Sequence, residues 1–245
     1  MVRPADTLTL PRRGFTLNRR KALGLAALFW LGFGIVSYIV LTGRAQVLDA
    51  SGLLFWRDAG TLLPRGPQWL LEMVRDITAL GGVLLRNLFA LAAIVALLFL
   101  GLRREAVLLA ATVACGWLVG WLMKLAVGRE RPDIVPHLMD AGGNSFPSGH
   151  SFGAAVVYLS IALAFATISP RPAVRYTIVL ASMVLSACIA WSRVWLGVHF
   201  PTDVIAGWLG GTGWAFLSAA MLYHPARAAA DSAFVHQHVP IAKDR

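Results

Sequence analysis

Long apolar stretches, each closed by charged or helix-breaking residues, organise this chain. Residues 22–42, 87–102, 105–126, 151–168, 174–191 and 202–223 form six such runs. Most come close to the ~20 residues that a helix needs to cross the hydrocarbon core of a bilayer. The second extends back to Thr78 or Ala79 if the apolar residues there join it. Arg103-Arg104 closes that run, and Pro170-Arg171-Pro172 separates the fourth run from the fifth. Pro201 suits the first turn of the sixth helix, where its missing N–H is not needed. The pattern predicts an all-α, polytopic membrane bundle of six transmembrane helices.

Residues 43–86 form the longest connection, broken by Asp49, Arg57, Asp58, Pro64 and Pro67. Within it, Leu70, Val74, Ile77 and Leu80 fall at helical spacing behind Trp69, with Glu72, Arg75 and Asp76 off that stripe. This predicts a short interfacial helix in the first outer loop, with packing against the bundle as the alternative. Residues 1–21 read as a basic tail and 224–245 as a polar one, which leaves 22–223 as a single helical domain. The first run is too long for the apolar region of a signal peptide, and no small-x-small site follows it. It is expected to stay as a membrane helix. No internal repeat or low-complexity tract is present.

Composition strengthens this picture. The chain has 245 residues, of which 58% are hydrophobic and only 14% charged, and its mean hydropathy is +0.67. An ordinary soluble domain is excluded. The net charge of +10 would suit nucleic acid, but many basic residues flank apolar runs, as headgroup contacts and topology signals do. No nucleic-acid partner and no obligate protein partner is expected. Cys115 and Cys188 lie inside apolar runs and read as small hydrophobes. Six spans put both termini on one side. That side holds 13 of the 22 basic residues, including Arg19, Arg20, Lys21, Arg103, Arg104, Arg171 and Arg175. The positive-inside rule then makes the termini cytoplasmic, in the cytoplasmic (inner) membrane.

Three polar blocks break the apolar runs at places that share one side of such a bundle. They are Lys124-Leu-Ala-Val-Gly-Arg-Glu-Arg131-Pro132, Pro147-Ser148-Gly149-His150, and Ser192-Arg193-Val-Trp-Leu-Gly-Val-His199-Phe-Pro-Thr-Asp203. With cytoplasmic termini the blocks face the periplasm or the outside. Singly, Lys124, Arg131 and Arg193 each read as a snorkelling or topology charge. Together they give three cations on one face, suited to a phosphate carrying −1.5 to −2. Ser148 would cap the fourth span, and with the Gly149 N–H it makes an anion site at a helix N-terminus. His150 and His199 are two of six histidines, and both fall in these blocks. Histidine can serve as nucleophile and as acid or base near neutral pH. Asp203, a favourable acid in a first helical turn, could also fix the tautomer of His199 through a turn at Pro201. No His-Glu-x-x-His and no paired cysteines occur, so neither metal nor cofactor is expected.

The three blocks, read as Lys-x6-Arg-Pro, Pro-Ser-Gly-His and Ser-Arg-x5-His-x3-Asp, resemble the signature motifs of the type 2 phosphatidic acid phosphatase superfamily. All three match without a departure, and they cover residues 124–203. The six-span pattern is similar to the integral-membrane lipid phosphatase branch. The resemblance implies that His199 is the nucleophile forming a phosphohistidine and that Asp203 orients it. It implies that His150 protonates the leaving group and then activates water. It assigns Lys124, Arg131, Ser148, Gly149 and Arg193 to the phosphate oxygens. Residues 22–223 would then be a metal-independent membrane phosphatase domain.

The function class expected is a hydrolase acting on a membrane lipid phosphate or lipid pyrophosphate. Candidates are undecaprenyl pyrophosphate, phosphatidylglycerol phosphate, phosphatidic acid and lipid A phosphate. The alternatives are a lipid phosphotransferase using the same intermediate and a non-catalytic protein that only binds lipid phosphate. Transporters carry mid-span polar residues and repeats that are missing here. The soluble haloperoxidases of the same superfamily do not fit six apolar runs.

Overall fold

The structure is a computed structural model that describes residues 18–238, apart from 167 and 170, with side chains described as far as Met221. The tail expected over 1–21 therefore lies mostly outside the described residues, as do residues 239–245. Eight helices run through the described part: α1 (Arg19–Leu41), α2 (Gln46–Leu54), α3 (Gln68–Leu80), α4 (Val83–Phe99), α5 (Arg103–Val127), α6 (Gly149–Ala166), α7 (Pro172–Trp195) and α8 (Pro201–His238). Local chemistry sets several ends. Asn18 caps α1, its side-chain oxygen accepting from the N–H of Arg20 at 3.0 Å and of Lys21 at 3.4 Å. Gly128 closes α5 in the left-handed region at φ +63°. Pro172 opens α7 in its first turn.

Five helices, α1 and α5 to α8, are each long and apolar enough to cross a membrane. The pair α3 and α4, bent by 51° at Gly81-Gly82, makes a sixth crossing if it is one span. The protein is an all-helical integral membrane bundle. α8 continues without a break to His238, past the end expected from hydrophobicity and into the stretch read as a tail.

Burial orders the bundle. In α6 and α8, 78% and 67% of the apolar window is buried, against 6% in α1 and 22% in α5 and α7. The α6–α8 pair is thus the centre, with α1 on α8 and α4, α5 and α7 on α6. Large side chains such as Leu28, Leu31, Leu41, Phe99 and Leu180 point outward, where lipid would cover them. Cys115 and Cys188 are free and also face outward. With lipid outside, apolar burial does little to hold helices together, and close backbone approach takes over. A Cβ on Gly211 would stand 2.4 Å from the Phe152 carbonyl oxygen, and one on Gly207 would stand 2.7 Å from that of Ser148.

The 43–86 connection differs most from expectation. α2 escaped the hydrophobic pattern because Asp49 turns inward and is only 1% exposed. Gly52 lets α2 touch the ring of Pro201 at the start of α8. The apolar stripe of α3 packs on the bundle. Val74 meets Trp195, Leu196 and Val198, while Ile77 and Leu80 meet Ile189 and Tyr158. Glu72 and Arg75 pair on the outer side at 3.9 Å.

A Gly211→Ala substitution is expected to lower the melting temperature in detergent, since overpacking costs about 1–3 kcal/mol. Gly24→Ala is expected to leave it unchanged or slightly raised, because nothing lies within 4 Å of the added methyl group. Equal effects at the two sites would show that the close α6–α8 contact is not limiting.

Candidate active site

The end of α5, the 128–148 loop, the start of α6 and the α7–α8 turn meet at one end of the bundle. His199 sits in that turn, 2% exposed. Its Nε2 lies 3.1 Å from Nη1 of Arg131. Arginine has no acceptor, so Nε2 must present its lone pair and the ring proton must sit on Nδ1. That Nδ1 faces the Ser145 hydroxyl oxygen at 3.2 Å and Oδ2 of Asp203 at 3.5 Å. The Ser145 hydroxyl in turn donates to the same Oδ2 at 2.5 Å. The ring is therefore oriented by Asp203 both directly and through Ser145.

Local helix chemistry puts Asp203 there. Phe200 is the N-cap of α8, and Asp203 reaches back to accept its backbone N–H at 3.0 Å, as the acidic member of a capping box does. The helix-start role and the histidine-orienting role use one oxygen. The other oxygen, Oδ1, accepts from Arg129 Nη1 at 2.7 Å. Arg129 Nη2 donates to Asp49 at 2.6 Å, and its guanidinium lies 4.1 Å above the Phe200 ring. Thr202 completes the lattice, its N–H and hydroxyl donating to Asp49 at 3.0 and 2.8 Å. One arginine thus bridges two buried carboxylates from α2 and α8.

The phosphate-binding candidates stand around this centre. Arg131 is held by the carbonyls of Gly142 at 2.7 Å, Gly143 at 3.0 Å and Val198 at 2.8 Å. Lys124 donates to the Asn144 carbonyl at 2.5 Å, and Asn144 returns a bond to the Lys124 carbonyl at 3.0 Å. A Cβ on Gly149 would meet Lys124 Cε at 3.4 Å, so glycine keeps the helix start open beside that cation. Ser148 is fully buried, and its N–H donates to the Asp203 carbonyl at 3.0 Å. Arg193, 2% exposed, donates to the Thr78 hydroxyl at 3.0 Å while its Nε has no partner among the described residues. Lys124 and His150 both lie within electrostatic reach of Arg131 and Arg193. The eight residues predicted from sequence thus share one end of the fold.

His150 stands at the start of α6 and lines a cavity of ≈530 Å³ between α4, α5 and α6. Lys124, Gly149 and Arg86 share that cavity, and the rest of its wall is largely apolar, including Trp117, Trp121 and Phe152.

Sequence reasoning passed over Arg129, Asp49, Ser145, Thr202, Asn144 and Arg86. Arg129 carried a signal, since it lies inside the first polar block. Asp49 carried none, because its partner is 80 positions away.

An all-helical membrane bundle with clustered cations and a buried His–Asp pair at one end defines a class of membrane proteins built around an anionic group. The sequence profile of the PAP2 superfamily matches residues 104–227. Phosphatidylglycerophosphatase B of Bacillus subtilis (strain 168) is 34% identical over 183 residues, covering 73% of this chain and 85% of that protein. A lipid A 1-phosphatase of Rhizobium etli is 36% identical over 124 residues, 46% of this chain, and the match spans only 47% of that relative. The crystal structure of a transmembrane PAP2-type phosphatidylglycerolphosphate phosphatase from Bacillus subtilis superposes with a TM-score of 0.70 at 27% identity, covering 88% of this chain and 98% of that one. The chain belongs to the integral-membrane lipid phosphatase branch of the PAP2 superfamily.

Two outcomes follow from this geometry. Arg129→Gln leaves two buried carboxylates without their cation and is expected to destabilise the fold by about 3–5 kcal/mol. Asp49→Asn keeps the Arg129–Asp203 pair and should cost less; denaturant unfolding in detergent would compare them. The second concerns His199, whose pKa burial pushes down to about 4, with the Arg131 and Arg193 charges adding to this and Asp203 opposing it. The ring is then predominantly neutral near pH 7. Imidazole 15N NMR, with His199→Gln to assign the signal, should show no protonation near 6.5; a transition there would contradict this environment.

Proposed function

We propose that this protein hydrolyses a lipid phosphate or lipid diphosphate through a phosphohistidine on His199. The observation that carries this reading is the geometry of His199: a buried imidazole whose Nε2 lies 3.1 Å from Arg131 Nη1 while its Nδ1 faces Asp203 at 3.5 Å. The cationic group formed by Lys124, Arg131 and Arg193, with the Gly149 N–H, would bind the three phosphoryl oxygens and offset their charge in the transition state. Nε2 attacks phosphorus and the bond to the leaving-group oxygen breaks; His150, entering as imidazolium once the bound phosphate dianion offsets the charges of Arg193, Arg86 and Arg131, gives that oxygen a proton. His150 then takes a proton from water, whose oxygen attacks phosphorus. The P–N bond breaks, and inorganic phosphate and neutral His199 result. Asp203 holds Nδ1–H throughout and stabilises the positive charge that the ring acquires on attack.

The apolar cavity next to His150 supports a substrate whose tail stays in the bilayer. Undecaprenyl pyrophosphate, phosphatidylglycerol phosphate, phosphatidic acid and lipid A phosphate all have this character. Chemistry without a metal is part of this proposal. Among the described residues, no group of three or more His, Cys, Asp or Glu side chains could hold a metal ion. The basic residues at the starts of α5 and α7 stand at the far end from the site, which supports cytoplasmic termini and a site facing outward.

Phosphate release from these four lipids, in detergent with EDTA present, tests the reading. Release is expected to resist EDTA and to fall by about 10³-fold or more in His199→Ala. Release from no lipid by the folded wild type, or full activity in the variant, would sink it.

A further inference from the structure

Arg86, in the first turn of α4, is 4% exposed. Its Nη1 donates to the carbonyl oxygens of Gly81 at 3.3 Å and Gly149 at 3.2 Å. Its Nε is buried and has no hydrogen-bond partner among the described residues. Arg86 takes part in no ion pair with a carboxylate among the described residues. A guanidinium in an apolar surround without a counter-charge is costly. The fold also makes special room for it, because any Cβ at Gly153 would fall on the guanidinium. Such a charge calls for an anion that the chain itself does not supply.

Position indicates which anion. Arg86 and His150 line the same cavity, whereas His199 and Arg131 do not. In an in-line displacement at phosphorus, nucleophile and leaving group stand on opposite sides. With His199 attacking and His150 protonating, the cavity is the leaving-group side. We infer that Arg86 is a second anion subsite, one phosphate further along the substrate, that selects lipid diphosphates. The inference rests on the phosphatase reading for its assignment of sides. On attack, the bond from the terminal phosphorus to the bridging oxygen breaks, and that oxygen leaves as part of a lipid monophosphate. His150 supplies its proton, and Arg86 offsets the charge gathering on the departing phosphate. A lipid monophosphate, whose leaving group is an uncharged alcohol, presents nothing to Arg86.

The test compares a prenyl diphosphate with the prenyl monophosphate of the same tail, so that tail effects cancel. Arg86→Gln is expected to lower kcat/KM for the diphosphate by about 10- to 100-fold, the range for a hydrogen bond to a charged group. The monophosphate should change far less, and Arg86→Lys should restore part of the difference. Equal losses on both substrates would mean that Arg86 only clamps Gly149, and would overturn the proposal. Calorimetry on the wild type gives a reading independent of turnover and of whether the variants fold. Methylenediphosphonate should bind at least about tenfold more tightly than methylphosphonate, and equal affinities would also overturn it. A wild type with this preference that cleaves neither lipid would sink the phosphatase reading while leaving the subsite standing.

Discussion

A buried carboxylate in an apolar bundle must be neutralised by something, and most of this site follows from how Asp203 meets that demand. It is fully buried, so water cannot help. Arg129 takes one oxygen; Ser145, the Phe200 N–H and His199 gather on the other. The other end of the Arg129 fork donates to Asp49 on α2, so one cation serves two carboxylates. The result draws three segments, distant in sequence, onto one point. It also leaves His199 a single tautomer, because Arg131 can only donate to Nε2.

The same centre explains the packing style. Ser148 leads into α6, α6 carries Gly149 and His150, and α8 carries Asp203, so these two helices must approach closely at their shared end. Gly207 and Gly211 allow that approach by bringing backbone to backbone. Outside them the bundle is covered with large apolar side chains, which fits a solvent of acyl chains. Chemistry and packing are thus met by the same helix pair.

The spans and the three polar blocks were legible because hydrophobic run length and motif spacing are local properties. Lys124, Arg131, Ser148, Gly149, His150, Arg193, His199 and Asp203 could all be named from such local patterns. The support behind them was not. α2 was hidden because one of its two buried residues, Asp49, is charged, which breaks the pattern that reveals an amphipathic helix. Arg129 stood in plain view between Lys124 and Arg131, but an arginine in a loop reads as solvated unless its partners are known. Ser145 looked like an ordinary loop serine. Arg86 fell at the edge of a span, where a lone cation reads as a headgroup contact. Each of these depends on a partner far away in sequence, which no single-sequence pattern carries. The destination of the α3 stripe was undecided for the same reason: periodicity gives a face, and only the fold gives what covers it.

The bridge from Asp49 through Arg129 to Asp203 also bears on biosynthesis. Chains are made from the N-terminus, so α2 and the 128–148 loop exist before α8 does. Until α8 inserts, Asp49 and Arg129 can only satisfy each other, and His199 has neither its carboxylate nor its fixed tautomer. In a nascent chain that stops short of the last span, the hydrogen-bonded surroundings of His199 are therefore incomplete. The surroundings of His199 are thus completed in the final act of membrane insertion, when α8 joins the helices that shelter the ring.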